Sequence, residues 1–312
     1  MKRVIITGAS GFIGGSLAKK LLQSGVTVYG VGRNEDKLNM LRQYGDFRPV
    51  VADFKDYDKL DDLISERGFD RFYHLAWLGT STNEYNDYKV QIINAKMTCD
   101  AAYSAVKLEC SSSSSTSSYQ QADVTIKERD RFNPVIYGIV KKSAADLFKA
   151  IAYKHGMPCV NLIFPNTYGV GDKPNTAIVF FIKNLLANKP LNLISGQYCD
   201  DWMPVDDLAE GIIAASGSIL KYGDYYIGHR NITTFKEKLL EMKRVLNSDS
   251  ELNFGTYPEN YYVDYTCFNL DALYLDTGWE AQTMFSDSIL QTAEWVKDSL
   301  LSPFNSRQNE AT

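Results

Sequence analysis

Apolar residues fall in short β-branched runs separated by longer stretches of helical spacing, and this alternation repeats through the first half of the chain. Val4, Ile5 and Ile6 form a run of the kind a strand buried on both faces requires. Leu17, Leu21 and Leu22 then recur at helical spacing up to Gly25, and residues 26–31 read as a second strand. Residues 47–52 predict a third strand, closed by Asp53; 58–67 predict a helix and 71–76 a fourth strand. Residues 88–107 and 134–155 predict two long helices, and 160–164 a further strand. Strands alternating with helices predict an α/β fold, a doubly wound parallel sheet.

Residues 111–118, Ser-Ser-Ser-Ser-Ser-Thr-Ser-Ser, break the rhythm. A fifth apolar strand belongs here, and these residues carry almost no apolar surface. Three readings stand: a strand of unusual composition, a flexible linker, or a stretch that departs from the natural gene. A linker in mid-sheet conflicts with the rhythm on both sides.

The turn between the first strand and helix reads Thr7-Gly8-Ala9-Ser10-Gly11-Phe12-Ile13-Gly14. Gly8 permits a tight turn, Gly11 lets the backbone approach a phosphate, and Gly14 lets the helix pack close to the strand. Free N–H groups at the helix N-terminus then point at an anion. In a strand-turn-helix context this predicts dinucleotide binding and a Rossmann-type sheet. Beyond about residue 165, Pro165, Gly169, Gly171, Pro174, Pro190 and Gly196 interrupt the pattern. Residues 1–165 are therefore expected to form the dinucleotide-binding domain, with some later segments returning to it. Residues 166–302 form a smaller, mainly substrate-binding C-terminal region, and 303–312 a frayed polar tail.

Tyr137 and Lys141 stand four apart on a predicted helix, on one face. An ammonium near a phenol favours the phenolate, so the tyrosine can serve as general acid or base near neutral pH. At the end of the second strand, Val31-Gly32-Arg33-Asn34 lacks the carboxylate that would bind ribose hydroxyls. Arg33 can pair with a 2′-phosphate instead, which favours NADP, with NAD as the alternative.

Composition narrows the class. Lys plus Arg is 33 against 38 for Asp plus Glu, a formal net charge of −5, which leaves no footprint for nucleic acid. A hydrophobic content of 45% argues against disorder, and no apolar stretch is long enough for a transmembrane helix. The N-terminus does not read as a signal peptide. Five scattered cysteines and no CxxC pair suggest free thiols in the cytoplasm. With only three histidines, no metal site is expected.

Together the glycine-rich turn, His74-Leu75-Ala76, the Tyr137/Lys141 pair, Asn166-Thr167-Tyr168-Gly169, the run from Trp202 to Ala209 and Leu275–Trp279 resemble the extended short-chain dehydrogenase/reductase superfamily. The branch is that of the NAD(P)-dependent nucleotide-sugar epimerases, dehydratases and reductases, and the resemblance covers nearly the whole chain. It implies cofactor contacts from Gly8, Ser10, Gly11, Phe12, Ile13, Gly14, Arg33, Asp53, Phe54, Leu75, Ala76, Trp77, Asn94, Tyr137, Lys141, Pro165 and Asn166. It also implies a third catalytic group, a hydroxyl four residues before a tyrosine similar to Tyr119. Ser115 matches best, then Thr116 and Ser117, with Ser118 behind. Substrate contacts are expected from Trp77, Ser117, Asn166, Lys173 and Arg230. Many relatives carry an arginine where Asp200 stands, so phosphate recognition falls to Lys173 or Arg230.

The dehydratases' acidic pair is missing from Ser115-Thr116-Ser117, which argues against 4,6-dehydration. The expected activity is that of an NADP-dependent reductase of a 4-keto nucleotide sugar, using Ser115, Tyr137 and Lys141. The alternative is an NAD-dependent nucleotide-sugar 4-epimerase, and a third reading is a cofactor-binding protein that has lost catalysis. Tyr261, Tyr262 and Tyr265 are either stacking residues for a base or sugar, or packing residues. The resemblance further implies a homodimer through the two long helices.

Overall fold

The computed structural model describes residues 1–80, 84–124, 135–218, 220–258 and 263–300. In chain order the elements begin with β1 (Arg3–Thr7), α1 (Phe12–Gln23), β2 (Thr27–Gly32), α2 (Glu35–Asn39), β3 (Phe47–Val51), α3 (Leu60–Leu63) and β4 (Arg71–His74). Next come α4 (Tyr88–Lys107), β5 (Ser113–Ser118), α5 (Ile136–Lys154), β6 (Cys159–Phe164), β7 (Asn166–Tyr168) and α6 (Ala177–Leu186). The remainder are β8 (Leu191–Leu193), β9 (Trp202–Pro204), α7 (Val205–Ala215), β10 (Asp224–Tyr226), α8 (Phe235–Val245), β11 (Leu252–Phe254), α9 (Ala272–Thr277) and α10 (Phe285–Leu300).

Seven strands form one parallel sheet in the order β10-β6-β5-β4-β1-β2-β3. The order reverses at β1, which opens a crevice beyond the carboxyl ends of β1 and β4, where ligands of such sheets bind. Val4, Ile5 and Ile6 are wholly buried because both faces of the sheet are covered. One face packs Leu17, Leu21 and Leu22 of α1 and Leu208 and Ile212 of α7 against Val4, Ile6 and Val28. The other packs Met97, Ala101 and Ala105 of α4 and Phe148 and Ala152 of α5 against Ile5 and Phe72. A separate core of Ile178, Ile182, Trp202, Leu239 and Ile289 holds α6, α8 and α10 together. Within 166–300, α6, α8, α10, β8 and β11 share this second core, whereas α7 packs on α1, α9 packs on α7 and β10, and β10 extends the main sheet beside β6.

The serine run is a strand, β5, lying between β4 and β6 with all six residues buried. Hydrogen bonding accounts for it. Thr116 Oγ1 donates to the His74 carbonyl at 3.1 Å, and Ser113 Oγ to the Pro158 carbonyl at 3.3 Å. Asn161 of β6 donates to Ser117 Oγ at 2.9 Å and accepts from Ser115 Oγ at 3.5 Å. The buried guanidinium of Arg71 donates to Ser112 Oγ and Ser114 Oγ at 3.0 and 3.1 Å, and to the Ser216 carbonyl at 3.2 Å. Hydroxyls and a carbonyl thus satisfy the N–H groups of this cation, while its burial pushes its pKa down.

Two expected boundaries move. The helix expected over 58–67 is a 3₁₀ turn, Phe54–Lys59, followed by the four-residue α3. Ile64 then turns extended and is buried, and the Arg67 guanidinium takes up the carbonyls of Asp61, Ile64 and Glu66 that a longer helix would have used. The strand expected over 71–76 ends at His74. Pro134, the tail 303–312, Tyr261 and Tyr262 lie outside the described residues. Tyr265 is a packing residue, stacked on Tyr119 and edge-on to Tyr226. No two of the five cysteines, all described, are joined by a disulfide. Among the described residues no helix is long and apolar enough to cross a membrane.

If the hydroxyls sustain β5, the charged contact should matter most. Ser114→Ala, which strips a partner from buried Arg71, should cost ~1–3 kcal/mol, and the shape-conserving Thr116→Val ~0.5–1.5 kcal/mol. Urea unfolding at equilibrium measures both; a larger loss for Thr116→Val than for Ser114→Ala would contradict this account.

Candidate active site

The β1–α1 turn forms the floor of a cavity of about 900 Å³. A Cβ at Gly14 would sit 2.2 Å from the Gly8 carbonyl oxygen, so only glycine lets α1 start this close to β1. Gly8 itself has φ +75° and backs onto the Ala76 amide, which also excludes a side chain. Gly11 caps α1 without a side-chain hydrogen bond, and the first turn carries no acid. The helix therefore presents unclaimed N–H groups and a positive dipole end to the cavity. A pyrophosphate fits this cradle.

Opposite the turn, α5 delivers Tyr137 and Lys141, both buried and both facing the cavity. The Tyr137 backbone N–H donates to the Tyr85 carbonyl at 2.9 Å, and the two rings lie 4.7 Å apart. Ser118, the last residue of β5, interacts through its side chain with the Tyr137 phenol. The carboxyl end of β4 closes the wall with Leu75, Ala76 and Trp77. His74, just below, is buried and held between Thr7 Oγ1 at 2.9 Å and Thr98 Oγ1 at 3.1 Å. Burial pushes its pKa down to about 3, so it is a neutral structural imidazole and not a base.

A dinucleotide cradle facing a buried Tyr/Lys pair agrees with the chain's match to a known family. Residues 4–228 match the model of the NAD dependent epimerase/dehydratase family. The chain belongs to that family. It is an enzyme of the epimerase/dehydratase type. Among curated relatives, the UDP-glucuronate 4-epimerase of Thermodesulfobacterium geofontis is 22% identical over 318 residues, covering 95% of this chain and 96% of that protein. UDP-glucuronate 4-epimerase 3 of Arabidopsis thaliana is 21% identical over 327 residues, covering 94% and 76%. Among solved structures, the UDP-glucuronic acid 4-epimerase of Bacillus cereus, in complex with UDP-glucuronic acid and NAD, has a TM-score of 0.76 at 20% identity, covering 95% of this chain and 99% of that one. Bordetella bronchiseptica WbmF, in complex with NAD+ and UDP, has a TM-score of 0.81 at 20% identity, covering 99% and 96%. The structural likenesses establish the fold.

Most of the expected site residues of this family member line the one cavity: Gly8, Ser10, Gly11, Phe12, Ile13, Gly14, Arg33, Phe54, Leu75, Ala76, Trp77, Ser117, Tyr137, Lys141, Pro165, Asn166 and Lys173. Four do not. Ser115 is fully buried three residues below the carboxyl end of β5, facing Asn161 of β6, and the hydroxyl beside Tyr137 is that of Ser118. Counting back from Tyr119 misplaces the group because β5 runs straight to Ser118 before the chain turns. Arg230 lies outside the cavity, ion-paired to Asp271 at 2.5 Å and Glu280 at 3.7 Å and stacked on Tyr274. Asp53 caps the turn that begins at Phe54, accepting from the Lys55 N–H at 3.4 Å. Asn94 is wholly buried and braces Leu78, accepting from its N–H at 2.7 Å and donating to its carbonyl at 2.9 Å.

The cavity also gathers Thr116, an expected candidate for the catalytic hydroxyl, and Asn34, Lys37, Thr80, Tyr85, Gln120, Asp172 and Thr176, which sequence reasoning missed. Lys37, four beyond Arg33 at the start of α2, is the one that spacing could have found. Burial raises Asp172 to about 6, although Thr176 Oγ1 and the Lys173 N–H donate to it. Asp200, where many relatives carry arginine, is buried behind the cavity and raised to about 6. Trp202 Nε1 donates to it at 2.7 Å and Asn166 Nδ2 at 3.4 Å.

The spacing of Tyr137 and Lys141 predicts a lowered phenol pKa, and in the structure the balance runs the other way: the Tyr137 pKa is raised. Burial and the neighbouring Tyr85 raise it, and only Ser118 opposes them. Lys141 pays a similar desolvation: burial lowers it from 10.5 to about 7. Between those values the unfolded chain holds the extra proton, so the lysine's cost to folding grows as pH falls through that window and is largely present at pH 7. Lys141→Met should raise Tm at pH 7 by ~2–4 °C per kcal/mol relieved. The gain should vanish above pH 10.5. Thermal unfolding followed by circular dichroism at pH 7 and pH 10.5 measures it, and a lowered Tm at pH 7 would refute it.

Proposed function

We propose that the protein is a nucleotide-sugar 4-epimerase. The observation that carries this reading is the meeting of Ser118, Tyr137 and Lys141 on the cavity wall facing the uncapped N-terminus of α1. The 4-epimerases among its relatives support the choice of reaction. A nicotinamide dinucleotide, when bound, supplies the hydride acceptor and donor. Gly8–Gly14 and the α1 N–H groups would hold its pyrophosphate, and Lys141 its nicotinamide-side ribose. Tyr137 takes the proton from the sugar 4-hydroxyl as it becomes a ketone and returns it after the sugar has turned its other face. Ser118 donates to the same sugar oxygen and holds it in line with the phenol. The Lys141 cation favours the phenolate that this proton transfer needs. Trp77, Ser117, Asn166 and Lys173 lie where the sugar nucleotide would extend, and Lys173 is the candidate phosphate contact.

One observation favours a second reading, an NADP-dependent 4-keto reductase. At the end of β2 the cavity is lined by Arg33, Asn34 and Lys37, with no carboxylate, and the Arg33 guanidinium stacks on Phe54 at 4.6 Å. Two cations at this point suit a 2′-phosphate. We also propose a homodimer through α4 and α5, whose surfaces expose Tyr88, Ile92, Ile93, Leu147 and Tyr153; light scattering of the purified protein tests it.

The deciding experiment is mass spectrometry of the nucleotide that copurifies, followed by assays on UDP-sugars with no added cofactor. The epimerase reading expects retained NAD and unaided turnover, with kcat reduced ~10²–10⁴-fold in Tyr137→Phe. Turnover that requires added NADPH, and weakens in Arg33→Ala, would replace it with the reductase.

A further inference from the structure

Lys141 is a buried cation that makes no ion pair with a carboxylate among the described residues, and burial is the one cause of its shift. What it meets is the face of Trp77: the ammonium lies 3.9 Å from the ring centroid. The indole is not free to turn. Its Nε1 donates to Gln91 Oε1 at 3.0 Å. Gln91 is wholly buried on α4 and is itself fixed, donating through Nε2 to the carbonyls of Gly79 and Glu84 at 3.2 and 3.0 Å. Asn94, one turn on, donates to the same Gln91 oxygen at 3.3 Å while holding Leu78. Two buried amides of α4 therefore set the plane of a ring whose face meets the lysine and whose ring system stands edge-on to Tyr137, 6.0 Å away.

We propose that Trp77 is a positioning residue, whose indole face holds the Lys141 ammonium protonated and in place beside Tyr137. An aromatic face attracts a cation without adding negative charge. A carboxylate here would pair the lysine more tightly, but it would also repel an anionic cofactor and oppose formation of the phenolate. The other titratable groups around the pair are Tyr137, Tyr85 and His74, and the imidazole is neutral at working pH. Among the described residues no other group supplies the lysine with negative charge, so removal of the aromatic face should let it deprotonate. The Tyr137 phenolate would then lose its support.

Part of the test rests on the function proposed above and part does not. Indole emission attributable to Trp77, taken as the difference between wild type and Trp77→Phe, should follow a titration as the ammonium over it loses its proton. That titration should be absent from the corresponding difference in a Lys141→Met background, and its persistence there would overturn the pairing. This arm needs no substrate. In the second arm, the acid limb of the kcat profile should move up by about one pH unit in Trp77→Leu. The kcat at neutral pH should fall about tenfold. Trp77→Phe, which keeps an aromatic face, should restore the limb to within a few tenths of a unit. Equal displacement in both variants, or none in Trp77→Leu, would overturn the proposal, with circular dichroism verifying that each variant is folded. If wild type turns over no sugar, the proposed function fails while the fluorescence arm still decides the pairing.

Discussion

A strand in the middle of a parallel sheet has water on neither face, so every polar atom placed there must be met by another protein atom. That constraint governs this molecule because β5, between β4 and β6, is built from hydroxyls. Its neighbours are matched to it: Asn161 of β6 spans Ser115 and Ser117, the His74 carbonyl takes Thr116, and Arg71 of β4 donates to Ser112 and Ser114. A valine or isoleucine at each position would contribute ~1.5–3 kcal/mol by burial alone, against about 1 kcal/mol net for a hydrogen bond. What the hydroxyls add is register. A slip of one residue would turn each to the wrong face and leave it unpaired.

The register matters because the last residue of β5 is the one beside the phenol. Ser118 pairs across from Phe164 in β6, and the chain turns immediately after it. Three elements converge on the cavity from fixed points: the β1–α1 turn, set by the contact of Gly14 with the Gly8 carbonyl; the end of β5, set by its hydrogen bonds; and α5, set by its packing on α4. None of these depends on the second core. The wall of Ser118, Tyr137 and Lys141 is thus set by the sheet and its flanking helices, and Asp172, Lys173, Thr176, Ala177 and Ile178 complete the cavity lining from beyond the sheet.

What the sequence reveals follows the range of the interactions involved. The glycine turn, the strand runs and the Tyr137/Lys141 pair are local patterns, and local backbone geometry suffices to read them. The choice among the hydroxyls of 113–118 depends on where β5 ends, which its neighbours decide; a count from Tyr119 could not supply it. Arg230 looked available for phosphate because its partners Asp271 and Glu280 are remote in sequence. Asn94 and Asp53 carry the expected residue types but spend their side chains on backbone, bracing Leu78 and capping the turn at Phe54. The short α3 escapes the periodicity because Arg67, just beyond it, takes up the Asp61 and Ile64 carbonyls, a local side-chain contact that the apolar spacing does not register.

The site's electrostatics separate into two regimes. At the end of β2, Arg33 and Lys37 are exposed cations whose pull on an anion is screened by water and salt. At the far end Lys141 is buried, where the same charge costs folding free energy and acts on its neighbours with little screening. On the function proposed above, that cost places the charge next to a phenol that burial makes reluctant to ionise. A carboxylate near Lys141 would relieve the lysine and raise the phenol further. The arrangement present, an aromatic face above the ammonium and amides behind the aromatic, stabilises the cation and leaves its field free to act on Tyr137. The chain gives up stability at α5 to keep that field unopposed, as sites selected for chemistry over packing commonly do.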